Sequence, residues 1–192
     1  MNLKTSAPNR CHWTFFLPLI LTGLLASAFI FLSIQPAFAG DIQTYYGPED
    51  HLQSHMISLY QNAEKSIYIA CFNMTSKPIT RMLIRARKKG IDVRIITDHG
   101  ELENEHTRKA IHSLRQAGIP IKVNRHEGLM HIKQVIIDDQ INTSGSFNQT
   151  WSANTLNDER LDVIIDSSNT RKAREKFLSM WNDHVRFVDF KD

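Results

Sequence analysis

Apolar residues recur along this chain in two rhythms that alternate after residue 40. Short β-branched or aromatic runs at 42–46, 66–73, 91–97, 119–124, 132–137, 140–144, 160–165 and 185–190 predict strands. Between them the apolar positions fall three and four apart. Leu52, Met56, Leu59 and Tyr60 predict a helix over 49–64, started by the acids at its head. Helices are expected over 78–89, closed by Gly90, and over 103–117, closed by Gly118. A short helix is expected from Gln149, and a longer one over 167–184 with Phe177, Leu178 and Trp181 on its apolar side. The alternation predicts an α/β fold, a mixed β-sheet flanked by helices on both faces. Segments 132–137 and 140–144 are too close for a crossover helix, so they are expected to form a hairpin. No repeat or low-complexity tract divides the region, so one domain is expected over 40–192.

The first 39 residues follow a different pattern. Lys4 and Arg10 precede an uncharged, mostly apolar stretch, and Ala37-Phe38-Ala39 offers a small-x-small cleavage point. This predicts a signal peptide over 1–39 cut after Ala39, with the domain periplasmic or secreted. The apolar run is also long enough for an uncleaved anchor holding the domain outside the cytoplasm, at a membrane. All 20 acids lie after residue 40 and only Lys4 and Arg10 of the 23 basic residues precede it. The domain is therefore nearly neutral, and attraction for phosphate must be local. Beyond the leader only Cys71 remains, inside an apolar run. It reads as a small buried residue, and no intrachain disulfide can form there.

Charge and chemistry concentrate between His131 and Glu159. On a regular strand His131 and Lys133 share a face and Asp138 falls on the other. Ser146 and Asn148 are also two apart, after Gly145, whose missing side chain permits a tight turn or a close approach. An imidazole, an ammonium, a hydroxyl and an amide can thus converge from adjacent strands. Cation and donors suit a phosphate oxygen, and the imidazole suits nucleophilic or acid–base work.

The spacing His131-x-Lys133, Asp138, Gly145-Ser146-x-Asn148, with Glu159 downstream, resembles the HKD motif of the phospholipase D superfamily at every defining position. The short chain with one motif resembles the small bacterial endonucleases of that superfamily. The resemblance implies a phospholipase D/nuclease-like fold and a phosphodiesterase that needs no cofactor and no metal. It implies that His131 becomes a covalent phosphohistidine, with Lys133, Ser146 and Asn148 binding phosphate oxygens. Glu159 is expected to accept a hydrogen bond from the other ring nitrogen of His131. Asp138 and Gly145 are implied to be structural. One motif lacks a second acid for the leaving group, so the resemblance implies a homodimer pairing two motifs across a twofold axis. The residues Asp139-Gln140 depart from the usual glycine-containing turn between the two strands.

DNA, and RNA as a further substrate, is the expected partner. Phospholipid, with cardiolipin among the candidates, is the alternative, and a non-catalytic phosphate-binding module is a third reading. Membrane contact is expected only if the leader stays uncleaved. Arg125, close before His131, is a candidate nucleic-acid contact. Arg81, Arg85 and Lys88 or Lys89 can share a helix face, read as solvated. Trp151 is read as core packing in preference to base stacking. His51 and His55 are four apart on a predicted helix, and a solvated face is preferred to a metal pair.

Overall fold

A computed structural model of the protein describes residues 40–191; the leader expected over 1–39 lies outside the described residues. Eight strands form one sheet: β1 (Asp41–Gly47), β2 (Ser66–Cys71), β3 (Asp92–Thr97), β4 (Ile121–Asn124), β5 (Lys133–Ile137), β6 (Ile141–Gly145), β7 (Glu159–Ile165) and β8 (Phe187–Asp189). Their order across the sheet is β1-β7-β6-β5-β2-β3-β4-β8. The helices are α1 (Leu52–Gln61), α2 (Lys77–Lys88), α3 (Glu105–Gln116), α4 (Trp151–Thr155) and α5 (Ser167–Asn182), with a 3-10 turn at Gly100–Glu103. The mixed α/β sheet expected from the alternating rhythms is the fold observed.

The sheet is mixed because its connections differ. Strands β2, β3 and β4 run parallel, joined through α2 and α3, while β5 returns antiparallel beside β2. Strands β5 and β6 form the expected hairpin, with Ile136 opposite Asn142 and Ile137 opposite Ile141. Asp138 and Asp139 take left-handed conformations, φ 54° and 58°, and turn the chain without a glycine. Acidic residues tolerate that region better than most side chains.

Both faces of the central strands are covered, so β2 reads as an unbroken apolar run. Ile67, Ile69 and Cys71 face the larger cluster, packed with Leu52, Met56, Ile79, Leu83, Ile111 and Leu114 from α1, α2 and α3. Tyr68 and Ala70 face the other way, toward Phe177 and Met180 of α5.

The helix expected over 49–64 is shorter at its head. Asp50 does not start it; its Oδ2 accepts from Tyr46 N at 2.7 Å, and His51 follows at φ 50°, closing a turn before Leu52. Likewise residues 100–103 wind as a 3-10 turn, and the helix begins at Glu105 because Asn104 Oδ1 caps His106 N at 2.9 Å. His51 sits at φ 50° ahead of the helix and the His55 ring stacks on Tyr45 at 3.7 Å, so the two do not form the expected four-apart pair on one helix.

The topology gathers one end of the sheet. The ends of β2, β3, β4 and β6 and the starts of β5 and β7 lie together, since Cys71 pairs with Lys133 and Gly145 with Leu161. Crevices beyond the carboxyl ends of parallel strands are where ligands bind in open α/β sheets.

Candidate active site

The strand β5 is pinned from below and left open above. At its lower end Asp138 Oδ1 accepts from Lys65 N at 2.7 Å and Ser66 N at 2.8 Å, and Oδ2 accepts from Glu64 N at 2.8 Å. Three backbone donors occupy this carboxylate, which ties the turn before β2 to the end of β5.

At the upper end His131 is exposed, just ahead of the strand, and Phe72 N donates to Ile132 O at 2.9 Å to continue the pairing with β2. The Phe72 ring meets both reactive groups: its centroid lies 4.6 Å from the His131 ring and 4.9 Å from Lys133 Nζ. Lys133 Nζ donates to His131 O at 3.0 Å. Partial burial pulls the Lys133 ammonium below its ordinary value, opposed by the nearby carboxylates of Glu159 and Glu101.

From the other half, β6 brings Ser146 and Asn148. Gly145 takes φ 141°, and a Cβ there would come within 2.1 Å of Arg160 O, so the close pairing of the end of β6 with β7 requires glycine. Ser146 N donates to Arg160 O at 3.0 Å and Arg160 N donates to Ser146 Oγ at 3.1 Å, which locks the serine to β7. Ser146 Oγ donates to Glu159 Oε2, and Asn157 Nδ2 donates to Glu159 Oε1 at 3.1 Å. Asn148 is partly buried, its Oδ1 enclosed without a protein donor.

His131, Lys133, Ser146, Asn148 and Glu159 therefore share one end of the sheet. The expected bond between Glu159 and the His131 ring is not among those formed in this subunit; the carboxylate engages Ser146 and Asn157 instead.

Sequence reasoning missed three contributors. Asp98, 2% exposed at the end of β3, accepts from Met130 N at 2.7 Å and Gly100 N at 2.9 Å, and so fixes the residue before His131. A buried acid closing an apolar strand was the legible hint. Asn157 lies in the bend before β7 and carries no pattern of its own. Glu101 arrives from the 3-10 turn, where Asn73 Nδ2 donates to its Oε2 and buried Thr107 Oγ1 donates to Asn73 Oδ1 at 3.0 Å. Partial burial raises the Glu101 carboxyl above its ordinary range; Asp98 adds to this, and His131 and Lys133 oppose it.

Arg125 is exposed in the loop after β4 and lines a cleft of about 760 Å³ with His99, Asn124, His126 and Leu129. Trp151 is not core: it is 64% exposed beside a second cleft, of about 590 Å³. Its place at the first position of a five-residue helix, anchored by buried Ala153, turns the indole outward. Arg81, Arg85, Lys88 and Lys89 lie on the exposed side of α2.

A family model described as "Cardiolipin synthase, PLD-like domain" matches residues 56–181. The chain is 31% identical over 151 residues to a phospholipase D of Rickettsia prowazekii, covering 79% of this chain and 71% of that protein. It is 31% identical over 130 residues to a mitochondrial cardiolipin hydrolase of Chlamydomonas reinhardtii, covering 67% of this chain and 57% of that protein. Among solved structures it is similar to Nuc from Salmonella typhimurium, a phospholipase D family member, with TM-score 0.74 and 26% identity over 80% of this chain and 100% of that one. NucT from Helicobacter pylori shares the fold, with TM-score 0.70 and 24% identity over 79% of this chain and all of that one.

Proposed function

The chain belongs to the phospholipase D-like family and is a phosphodiesterase, and on that footing we propose that its substrate is nucleic acid, cut by a nonspecific, metal-independent endonuclease acting as a twofold dimer. The observation that carries this reading is an exposed imidazole gathered with an ammonium, a hydroxyl and an amide at the end of the sheet where two clefts open. A polymeric diester continues in both directions from the phosphorus under attack, and two clefts that carry exposed cations suit such a chain.

The chemistry follows from the residues. A neutral His131 ring nitrogen attacks phosphorus and forms an N–P bond as the P–O bond to the leaving group breaks. Lys133 and Asn148 donate to the non-bridging oxygens, where negative charge grows, and Ser146 joins them by turning its one hydroxyl proton from Glu159 to the phosphate. The departing alkoxide takes a proton from His131 of the partner subunit, then in its protonated state. That second imidazole then removes a proton from water, which attacks the phosphohistidine, releases the phosphomonoester and restores both rings. Glu159, which accepts from Ser146 and Asn157 in this subunit, keeps lone pairs for a ring N–H, and a Glu159 carboxylate steadies each imidazole of the dimer.

The phospholipid reading rests on the names of the similar Rickettsia and Chlamydomonas proteins. Side-by-side turnover of single-stranded DNA, plasmid DNA, RNA and cardiolipin vesicles, all with EDTA, separates the two. Nucleic acid cleaved in EDTA, with a phosphohistidine trapped by acid-sparing quench, is the expected result. Turnover of vesicles alone, full loss in EDTA, or full activity in a lone subunit each overturns a stated part. Export through the 1–39 leader is part of the proposal, and fractionation of expressing cells for a chain beginning at Gly40 tests it.

A further inference from the structure

The 590 Å³ cleft beside Trp151 opens at the same end of the sheet as the reaction centre, and none of its lining residues has a role in the chemistry above. It begins at Asn73, the residue after the Phe72 that packs on His131, and continues to Thr150–Ser152, just past Asn148. Its walls are tied together. Thr75 N and Ser76 N both donate to Gln149 O at 3.0 Å, and Gln149 N donates to Asn73 O at 3.1 Å. Gln53 N donates to Asn154 Oδ1 at 2.9 Å, and Ser76 Oγ donates to Gln53 Oε1, so α1, α2 and α4 hold one shape.

The lining has a definite chemistry. None of the described residues lining it carries a carboxylate; its ionisable groups are Lys77 and His106, both exposed. The acid beside His106, Glu105, is paired with Lys109. Gln53, Asn104, Asn154 and several hydroxyls supply hydrogen-bonding edges, and Trp151 supplies one open aromatic plate, 64% exposed. Trp151 and Pro78 are the apolar residue types of its lining, and no leucine, isoleucine, valine or phenylalanine joins them to grip an acyl chain. An unstacked base with its phosphates would find a plate, amide edges and cations, at a volume within the usual range for a small-molecule pocket.

We propose that this cleft is a nucleotide subsite: Trp151 stacks the base next to the scissile phosphate, and Lys77 and His106 hold the following phosphate. The inference deepens the nucleic-acid reading and rests on it. It implies a preference for single strands, because a paired base is not free to leave its neighbours and lie on the indole.

The test uses the full chain and a labelled single-stranded oligodeoxynucleotide, with methyl 4-nitrophenyl phosphate as a diester that carries no base. Trp151→Ala should raise KM for the oligonucleotide roughly tenfold or more while turnover of the small diester is unchanged. Trp151→Phe should keep most of the affinity, since the plate remains. Lys77→Ala should weaken oligonucleotide binding and flatten its dependence on salt by about one unit of log–log slope. An unchanged KM in Trp151→Ala, with the wild type cleaving the oligonucleotide, overturns the subsite and leaves the nuclease reading standing. A wild type that turns over only the small diester and cardiolipin vesicles overturns both. Loss confined to vesicle turnover would make the cleft a membrane contact, and dissociation of Trp151→Ala into single subunits would make the indole an interface residue; either result overturns the subsite.

Discussion

The two ends of β5 put ionisable side chains to opposite purposes. Below, the Asp138 carboxylate is fully engaged, accepting from three backbone amides that join two elements. Above, the exposed His131 ring packs on Phe72, and Lys133 donates to a neighbouring carbonyl. A polar group that holds the fold together has its hydrogen bonds made within the chain. A polar group left for chemistry keeps its capacity for what comes in from solvent, at the cost of contributing little to stability.

The sharpest way to break this contrast is to remove one group from each end. His131→Ala is expected to lower kcat by at least about a thousandfold, read as single-strand DNA cleavage. Its thermal midpoint should move by no more than about 2 °C, as for an exposed substitution. Asp138→Ala should do the reverse. Losing a carboxylate that serves three amides should cost about 2–4 kcal/mol, seen by calorimetry as a midpoint lower by roughly 5–15 °C. Below that midpoint kcat should stay within a few-fold of wild type. Should Asp138→Ala stay folded at its normal midpoint but lose catalysis, the division of labour along the strand is wrong.

A smaller effect sharpens the upper end. Phosphate binding needs Lys133 protonated, and its partial burial against Phe72 pulls its pKa below the ordinary lysine value. Raising pH therefore removes the cation sooner than for a free lysine. The alkaline limb of kcat/KM is expected to fall below the ordinary lysine value, and Phe72→Ala, by letting water reach the ammonium, should shift that limb upward.

Local pattern carried a great deal of this molecule. The two rhythms gave the mixed sheet with helices on both faces, because burial forces period two in strands and about three and a half in helices whatever lies beyond them. Boundaries were less legible. The 49–64 helix begins only at Leu52 because Asp50 bonds back to Tyr46, a contact set by where the end of β1 lies. The gapped motif could be read as a set of chemical types, His131, Lys133, Ser146, Asn148 and Glu159, since their spacing is itself sequence.

Which group each of them meets was decided by the assembled sheet. Glu159 bonds Ser146 and Asn157, because the end of β6 pairs with β7 closely enough to demand Gly145 and to bring the hydroxyl to the carboxylate. Glu101 and Asp98 reach the site through the parallel order of β2 and β3, across separations that leave no periodic trace. Trp151 is apolar by type and open by position: one turn of helix held by Ala153 aims it away from the core. Sequence fixes what a side chain can do, while direction and company come from strands meeting far apart along the chain, where no local rule reaches.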